Sequence, residues 1–438
     1  MRSFKARLLR GCAVLAILTG IAGAPCVVHA EESGGATISL AAAVRLARTR
    51  GYDVVIASAN ARAAEADVVA AGATPNPIVA GGPSRRIDCT TCPGRTTWGA
   101  YASLSDEGLL EGAITRKRAL RREVARRAAD AARFSRADAE RIVVAQAKVQ
   151  YVQTAAAAAQ LDFAREVAAA LAKAVEVNRV RYPRVIDEGQ LARVEQEALR
   201  AEQAVDRARR VLRQEQIDLA TLLAVDPSVP VVVDRDALRF RIPPILGATD
   251  KDALARMAVD ARPDRKALVA REAQADAAFT LARRERFPDV ALALQYQNLG
   301  VGNDAPQPPT LSVGVALPLP IFYQRQGEVG RASAEREAAT AQRRKLDNAV
   351  AADVESAWNA FVTARAIVER YEGRLLERAR RAKEITQTQF DAGSATLTDL
   401  LDAQRSFVAV NGDYYAELVS YWTAVYLLEQ AVGREMVP

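Results

Sequence analysis

From Gln326 onward, apolar side chains recur at intervals of seven: Val354, Phe361, Val368, Leu375 and Ala382, with Ala357, Ala364, Tyr371 and Ile385 filling much of a second seam. A sustained seven-residue repeat imposes a left-handed supercoil on neighbouring helices. It predicts one helix from Gln326 to Phe390, about 95–100 Å long. The stretch from Ala113 to Arg181 predicts a second of similar length. Helices in ordinary globular domains average about 11–12 residues. The chain therefore reads as mainly α, a coiled-coil rod or the wall of an α-barrel. Many seam positions are alanine, which suits thin, closely packed walls rather than a thick core.

The plan occurs twice. Leu40 to Pro77 aligns with Lys251 to Pro288, setting Gly51-Tyr52-Asp53 on Arg262-Pro263-Asp264. Val177 to Leu223 aligns with Ile385 to Ala431, setting Gln196 on Gln404 and Leu219 on Leu427. The identity is weak but the order of patterns is the same, which reads as an internal duplication. Residues 31–224 form the first repeat and 249–438 the second, with the Pro- and Val-rich stretch 225–248 as linker. Each repeat carries a pair of short strands. In the second, at about 289–297 and 311–317, Val290, Leu292, Leu294 and Tyr296, then Leu311, Val313, Val315 and Leu317, alternate with small or polar residues. In the first, at about 77–83 and 97–105, the alternation is blurred by glycines before Pro83. Trp98, Tyr101 and Tyr296 are candidate membrane-interface aromatics.

The N-terminus limits where such a chain works. Arg2, Lys5, Arg7 and Arg10 precede an apolar stretch from Cys12 to Ala24, and Val28-His29-Ala30 offers small residues for cleavage, so 1–30 reads as a signal peptide. Cys26 raises the alternative of a lipid-attachment site, although Pro25 fits one poorly. The formal net charge is +7. Four of those charges belong to the leader, so the mature chain carries +3, with acids and bases interspersed as on a solvated helix surface. That is no nucleic-acid footprint. No run of about 20 apolar residues follows, which leaves a periplasmic chain or one that crosses a membrane as strands.

Chemistry is restricted as well. The single histidine, His29, lies in the leader, which removes histidine triads and zincin sites from the mature chain. No nucleophile–base pair or phosphate loop stands out, so the chain reads as a non-enzyme with no cofactor and no metal site. Cys89 and Cys92, in a Gly/Pro-rich stretch, read as a small loop disulfide, with a two-thiolate metal site as the alternative.

If the strands lie in a membrane, one chain cannot close a barrel. Open edges cannot face lipid, and even the smallest barrels have about eight strands. Two copies would supply eight strands and three would supply twelve, and geometry alone does not choose. The competing reading is a periplasmic coiled-coil adaptor whose hairpins merely cap a bundle.

With these features the chain resembles the TolC family of outer-membrane efflux proteins over essentially its whole mature length. Leu317-Pro318-Leu319-Pro320-Ile321-Phe322 followed by Gln326-Gly327-Glu328 is similar to the family's strand-to-helix junction. Phe390-Asp391-Ala392-Gly393, then Leu397 through Asp399-Leu400-Leu401-Asp402-Ala403-Gln404, is similar to its periplasmic tip. Leu428-Glu429-Gln430-Ala431-Val432-Gly433 is similar to its last helix end. The proline-rich junction looks most like the heavy-metal and cation efflux branch. The resemblance implies a homotrimer: a twelve-stranded transmembrane β-barrel, four strands per chain, in outer-membrane lipid, continuing into a coiled-coil α-barrel in the periplasm. It implies a passive duct of a tripartite pump, with a periplasmic membrane-fusion adaptor and an inner-membrane pump of the RND type as partners. Drugs or type I-secreted proteins are alternative cargoes to metal cations. Asp399 and Asp402 match the family's acidic constriction, whereas Ala395 stands where the family has a neighbouring basic residue. Phe390 and Gly393, and in the first repeat Tyr182 and Val185, mark the tips where an adaptor would dock.

Overall fold

The computed structural model describes residues 37–85, 98–106, 115–184, 186–298 and 309–437. Residues 1–30, read above as a signal peptide, and Cys89, Cys92 and Val185 lie outside them. In chain order the elements are α1 (Leu40–Arg50), α2 (Tyr52–Gly72), β1 (Ile78–Arg85), β2 (Trp98–Asp106), α3 (Lys117–Arg181) and α4 (Glu188–Leu222). Then follow α5 (Pro244–Ala248), α6 (Lys251–Ala261), α7 (Pro263–Arg284), β3 (Ala291–Asn298), β4 (Thr310–Ala316), α8 (Gln326–Arg370), α9 (Leu376–Asp391) and α10 (Leu397–Val432).

The helix breaks have local causes. Gly51 ends α1, and a Cβ there would lie 2.5 Å from the Ala47 carbonyl oxygen. At the position aligned with it, Arg262 ends α6 with nearly the same backbone angles, and Pro263 starts α7 at a first-turn site that needs no N–H donor. Side-chain caps close other starts. Asp187 and Gln190 form a reciprocal capping box on α4, and Thr396 and Asp399 form one on α10.

Gln326 to Phe390 is helical throughout, as expected, but a π-helical turn, Tyr371–Leu375, joins α8 to α9 within it. Its cross-helix ties are the Tyr371 ring against Tyr414 and a hydrogen bond that Tyr414 Oη donates to Glu372 (2.7 Å). Above the turn the heptad seam is buried at Val354, Phe361 and Val368. Below it Leu375 and Ile385 are exposed, and α9 buries no residue within this chain.

The main core joins α3, α6, α8 and α10. Trp422, Tyr421, Tyr426 and Phe361 are its largest buried side chains, and the rings of Tyr421 and Trp422 meet edge to face. Such pairs add about 0.5–1.5 kcal/mol beyond area burial. A second cluster joins α1, α3 and α4, and takes in Val231 and Val233 of the stretch between α4 and α5. A third, around Leu171, lies toward the C-terminal end of α3 and joins it to α4 and the start of α10.

The C-terminal helix ends on Gly433, which has φ +74° and faces the Arg262 main chain, 3.1 Å from the position a Cβ would take. Gly433→Ala is expected to lower stability by roughly 1–2 kcal/mol for the left-handed backbone alone, with further loss from the contact with Arg262. Thermal melting compared with Gly330→Ala, at a helical site where a Cβ meets nothing within 4 Å, checks it.

Candidate functional site: a two-faced sheet and a helical tip

The four strands form one antiparallel sheet in the order β1-β2-β3-β4. The register settles which side chains share a face, because successive residues alternate sides. Val79 stands beside Leu104, Leu104 beside Leu294, and Leu294 beside Val313. Ala102, Tyr296 and Leu311 form the next row, and Leu292 pairs with Val315. The opposite face carries Ala80, Ser103, Gln295 and Ser312, then Gly82, Tyr101, Gln297 and Thr310. One face is thus apolar along its middle, with Asp106 and Asn298 toward its ends, and the other is small or polar. Val79, Leu311, Val313 and Val315 are all more than 60% exposed within this chain, so nothing in the described chain covers the apolar face there. The outer edges of β1 and β4 have no strand partner among the described residues.

The register corrects one grouping. Trp98 and Tyr296 belong to the apolar face, but Tyr101 is on the polar one. Gly81 and Gly82, which blur the sequence pattern of β1, lie against it. A Cβ on Gly82 would lie 3.4 Å from the Tyr101 ring, and one on Gly81 would lie 3.0 Å from the Tyr101 carbonyl oxygen.

At the far end of the long helices, Val167, Leu171, Val175, Val194, Leu397 and Leu401 are buried together, with Phe390 packed against them. Gly393 has φ +77°, the left-handed region that favours glycine, and the Tyr182–Pro183 peptide is cis. Leu397, Leu400 and Leu401 point into the chain, which leaves Asp399 and Asp402 exposed. Asp399 Oδ2 accepts from the Thr396 N–H (2.9 Å) and hydroxyl (2.6 Å), and these bonds hold its carboxyl below the usual aspartate range. Asp402 Oδ1 accepts from Arg405 Nη1 (3.0 Å).

Arg405 also donates through Nη2 to Glu197 Oε1 (2.5 Å), on α4. The Arg405 bond is the main cause of a lowered Glu197 pKa. Arg181 adds a second tie, between α3 and α9: its guanidinium lies 5.4 Å from the Phe390 ring centroid and 3.7 Å from Asp391. Sequence reasoning missed Glu197 and Arg405. A signal was present, because residues 197 and 405 are equivalent in the alignment of the two repeats. Also missed was a buried ion pair between Lys148 of α3 and Glu429 of α10, with Nζ and Oε2 2.8 Å apart.

Among the described residues no three histidine, cysteine or acidic side chains gather as a metal site. No described helix is long and apolar enough to cross a membrane.

Comparison with known proteins places this geometry. Residues 254–434 match the family of outer membrane efflux proteins. The cobalt-zinc-cadmium resistance protein CzcC of Cupriavidus metallidurans is 30% identical over 161 residues, which are 35% of this chain and 38% of that protein. The pyoverdine export outer membrane protein OpmQ of Pseudomonas putida is 26% identical over 422 residues, 89% of this chain and 84% of that one. The fold is that of CusC, a protein whose crystal structures concern transmembrane channel formation, with a TM-score of 0.76, 16% identity, and coverage of 93% of this chain and 96% of that one.

Proposed function

We propose, from the match of residues 254–434 to the family of outer membrane efflux proteins, that the chain is one of them and that three copies form the passive outer-membrane duct of a tripartite efflux pump. The observation that carries the reading is the sheet: four strands, one apolar face, one polar face and two open edges. Open edges are not tolerated in lipid, and four strands do not close a barrel. Joining β4 of one copy to β1 of the next removes every edge, and three copies give twelve strands. The helices call for the same neighbours, since Val180, Leu199 and Ile385 are exposed and α9 is unburied within one chain.

Cargo is driven by an inner-membrane pump through a periplasmic adaptor that docks at the tip formed by Phe390, Gly393 and Tyr182. No bond is made or broken in the duct. Metal cations are the favoured cargo, supported by the likeness to CzcC. The longer match to OpmQ favours a second reading, export of small organic molecules. Asp399 and Asp402, exposed near the tip, supply an acidic ring of six carboxylates in a trimer, which attracts cations.

Single-channel recording in planar bilayers tests both the duct and the ring. Discrete cation-selective pores are expected, and the Asp399→Ala/Asp402→Ala variant should lose much of that selectivity. Pores indifferent to the change would remove the two aspartates from the constriction. A protein that stays soluble and monomeric would instead support the periplasmic adaptor. Acid should act late. The Asp399 carboxyl is held below its ordinary value, so the group stays ionised above that value and is neutralised only as pH falls through its lowered pKa. Selectivity is therefore expected to be level from about pH 8 to pH 5 and to fade below about pH 4.

A further inference from the structure

We propose that the cleft between α3, α7 and α8, just beneath the sheet, is a seat for the headgroup of an anionic phospholipid; this rests on the membrane reading above. The cleft measures about 800 Å³ and is lined by Arg116, Asp276, Phe279, Arg283, Phe287 and Arg336, among others. Two guanidinium groups converge on one ring: Arg336 lies 4.7 Å and Arg283 5.8 Å from the Phe279 centroid. A third, on Arg284, lies 5.4 Å from the Phe287 ring and is held by donating to the Thr115 carbonyl (2.8 Å). Against the four arginines of the lining stands one carboxylate, Asp276, 3.9 Å from Arg336 and well exposed. Among the described residues Arg116 and Arg283 form no ion pair. The cleft thus gathers like charges around aromatic walls with one weak counter-ion, an arrangement that a phosphate diester completes by accepting from two guanidinium forks.

Its position selects a lipid as the source of that phosphate. Phe287 is three residues after the end of α7, and β3 begins at Ala291. Lys117 fastens this joint by donating to the Phe287 carbonyl (2.6 Å) and to Asp289 (2.7 Å). The cleft therefore lies next to the end of the sheet from which the helices descend, where a headgroup would sit if the apolar face is in lipid. Arginine near an anionic surface contributes attraction, and the exposed Phe287 ring offers apolar contact to the glycerol and upper acyl carbons.

The test is native mass spectrometry of the full chain, extracted from membranes and stripped of lipid, then offered phosphatidylglycerol or phosphatidylcholine with the same acyl chains. Up to one phosphatidylglycerol per chain is expected, with phosphatidylcholine held far more weakly. Arg283→Gln/Arg336→Gln should weaken that binding roughly 30-fold. Arg283→Lys/Arg336→Lys should restore part of it, and Arg210→Gln, on the exposed side of α4, should change nothing. Equal retention by the glutamine variant, or no preference between the lipids, would overturn the proposal. So would binding of inorganic phosphate without retention of the lipid, which would assign the cleft to a soluble anion. The trimer mass in the same spectra reports on the assembly separately, so loss of the lipid seat and loss of the duct reading remain distinguishable.

Discussion

Glu429→Ala is expected to cost about 3–5 kcal/mol and to release the C-terminal segment from the helical body. The carboxylate is buried on α10, with only 6% of the side chain exposed. Its Oε2 accepts from Lys148 Nζ at 2.8 Å, while Oε1 accepts from the N–H groups of Met436 (2.7 Å) and Val437 (2.5 Å). Lys148 also donates to the Val437 carbonyl (3.2 Å) and lies 5.5 Å from the Tyr426 ring centroid. One side chain therefore neutralises a buried ammonium and satisfies two main-chain donors. Removing it leaves all three short of an acceptor, which costs far more than losing an exposed ion pair. Glu429→Gln, which keeps an acceptor but loses the charge, should fall in between. Lys148→Met/Glu429→Met should recover part of the loss, because it removes both charges together. Thermal unfolding followed by circular dichroism, with limited proteolysis of the C-terminus, reads the effect. A melting temperature no lower than that of the exposed control Glu188→Ala would sink this account.

What was legible in the sequence was whatever repeats at short range. The seven-residue seam around Val354, Phe361 and Val368 announced a long helix, and these residues are buried as a coiled-coil seam requires. The alternation in β3 and β4 was equally plain. The alternation of β1 was hidden by Gly81 and Gly82, whose neighbours, the main chain and ring of Tyr101, are on another strand, a contact no local window contains. Tyr101 is parted from Trp98 and Tyr296 for a similar reason, since its face follows from pairing with Gly82 and Gln297. The π turn at Tyr371–Leu375 lies inside a helix whose seven-residue pattern continues unbroken, and its partner Tyr414 is on another helix. At the tip, Asp399 and Asp402 were picked out by motif alone. Their partners Thr396 and Arg405 are each three residues away, whereas the further link from Arg405 to Glu197 spans 208 residues. Buried pairs such as Lys148 and Glu429 look, in sequence, like any two charges on long solvated helices.

Val313→Arg is expected to prevent membrane assembly, while Ser312→Arg on the same strand leaves it largely intact. Val313 stands beside Leu294 on the apolar face, and Ser312 beside Gln295 on the polar one. An arginine facing lipid near the bilayer midplane costs about 2–4 kcal/mol, and three copies of the chain would meet that cost three times in one barrel. An arginine facing the lumen stays in water. Its charge would lower cation conductance rather than block insertion. Both residues are on β4, at the edge of the sheet, so any general weakening of edge pairing acts on both, and the difference between them isolates the environment of the two faces. Trimer yield in the membrane fraction reads the first effect, and planar-bilayer recording of the Ser312→Arg channel reads the second. If Ser312→Arg proved the more damaging, the apolar face would be turned inward and the sheet would not be a lipid-facing wall. Equal, small effects would mean that neither face meets lipid, and the four strands would then cap a periplasmic bundle instead.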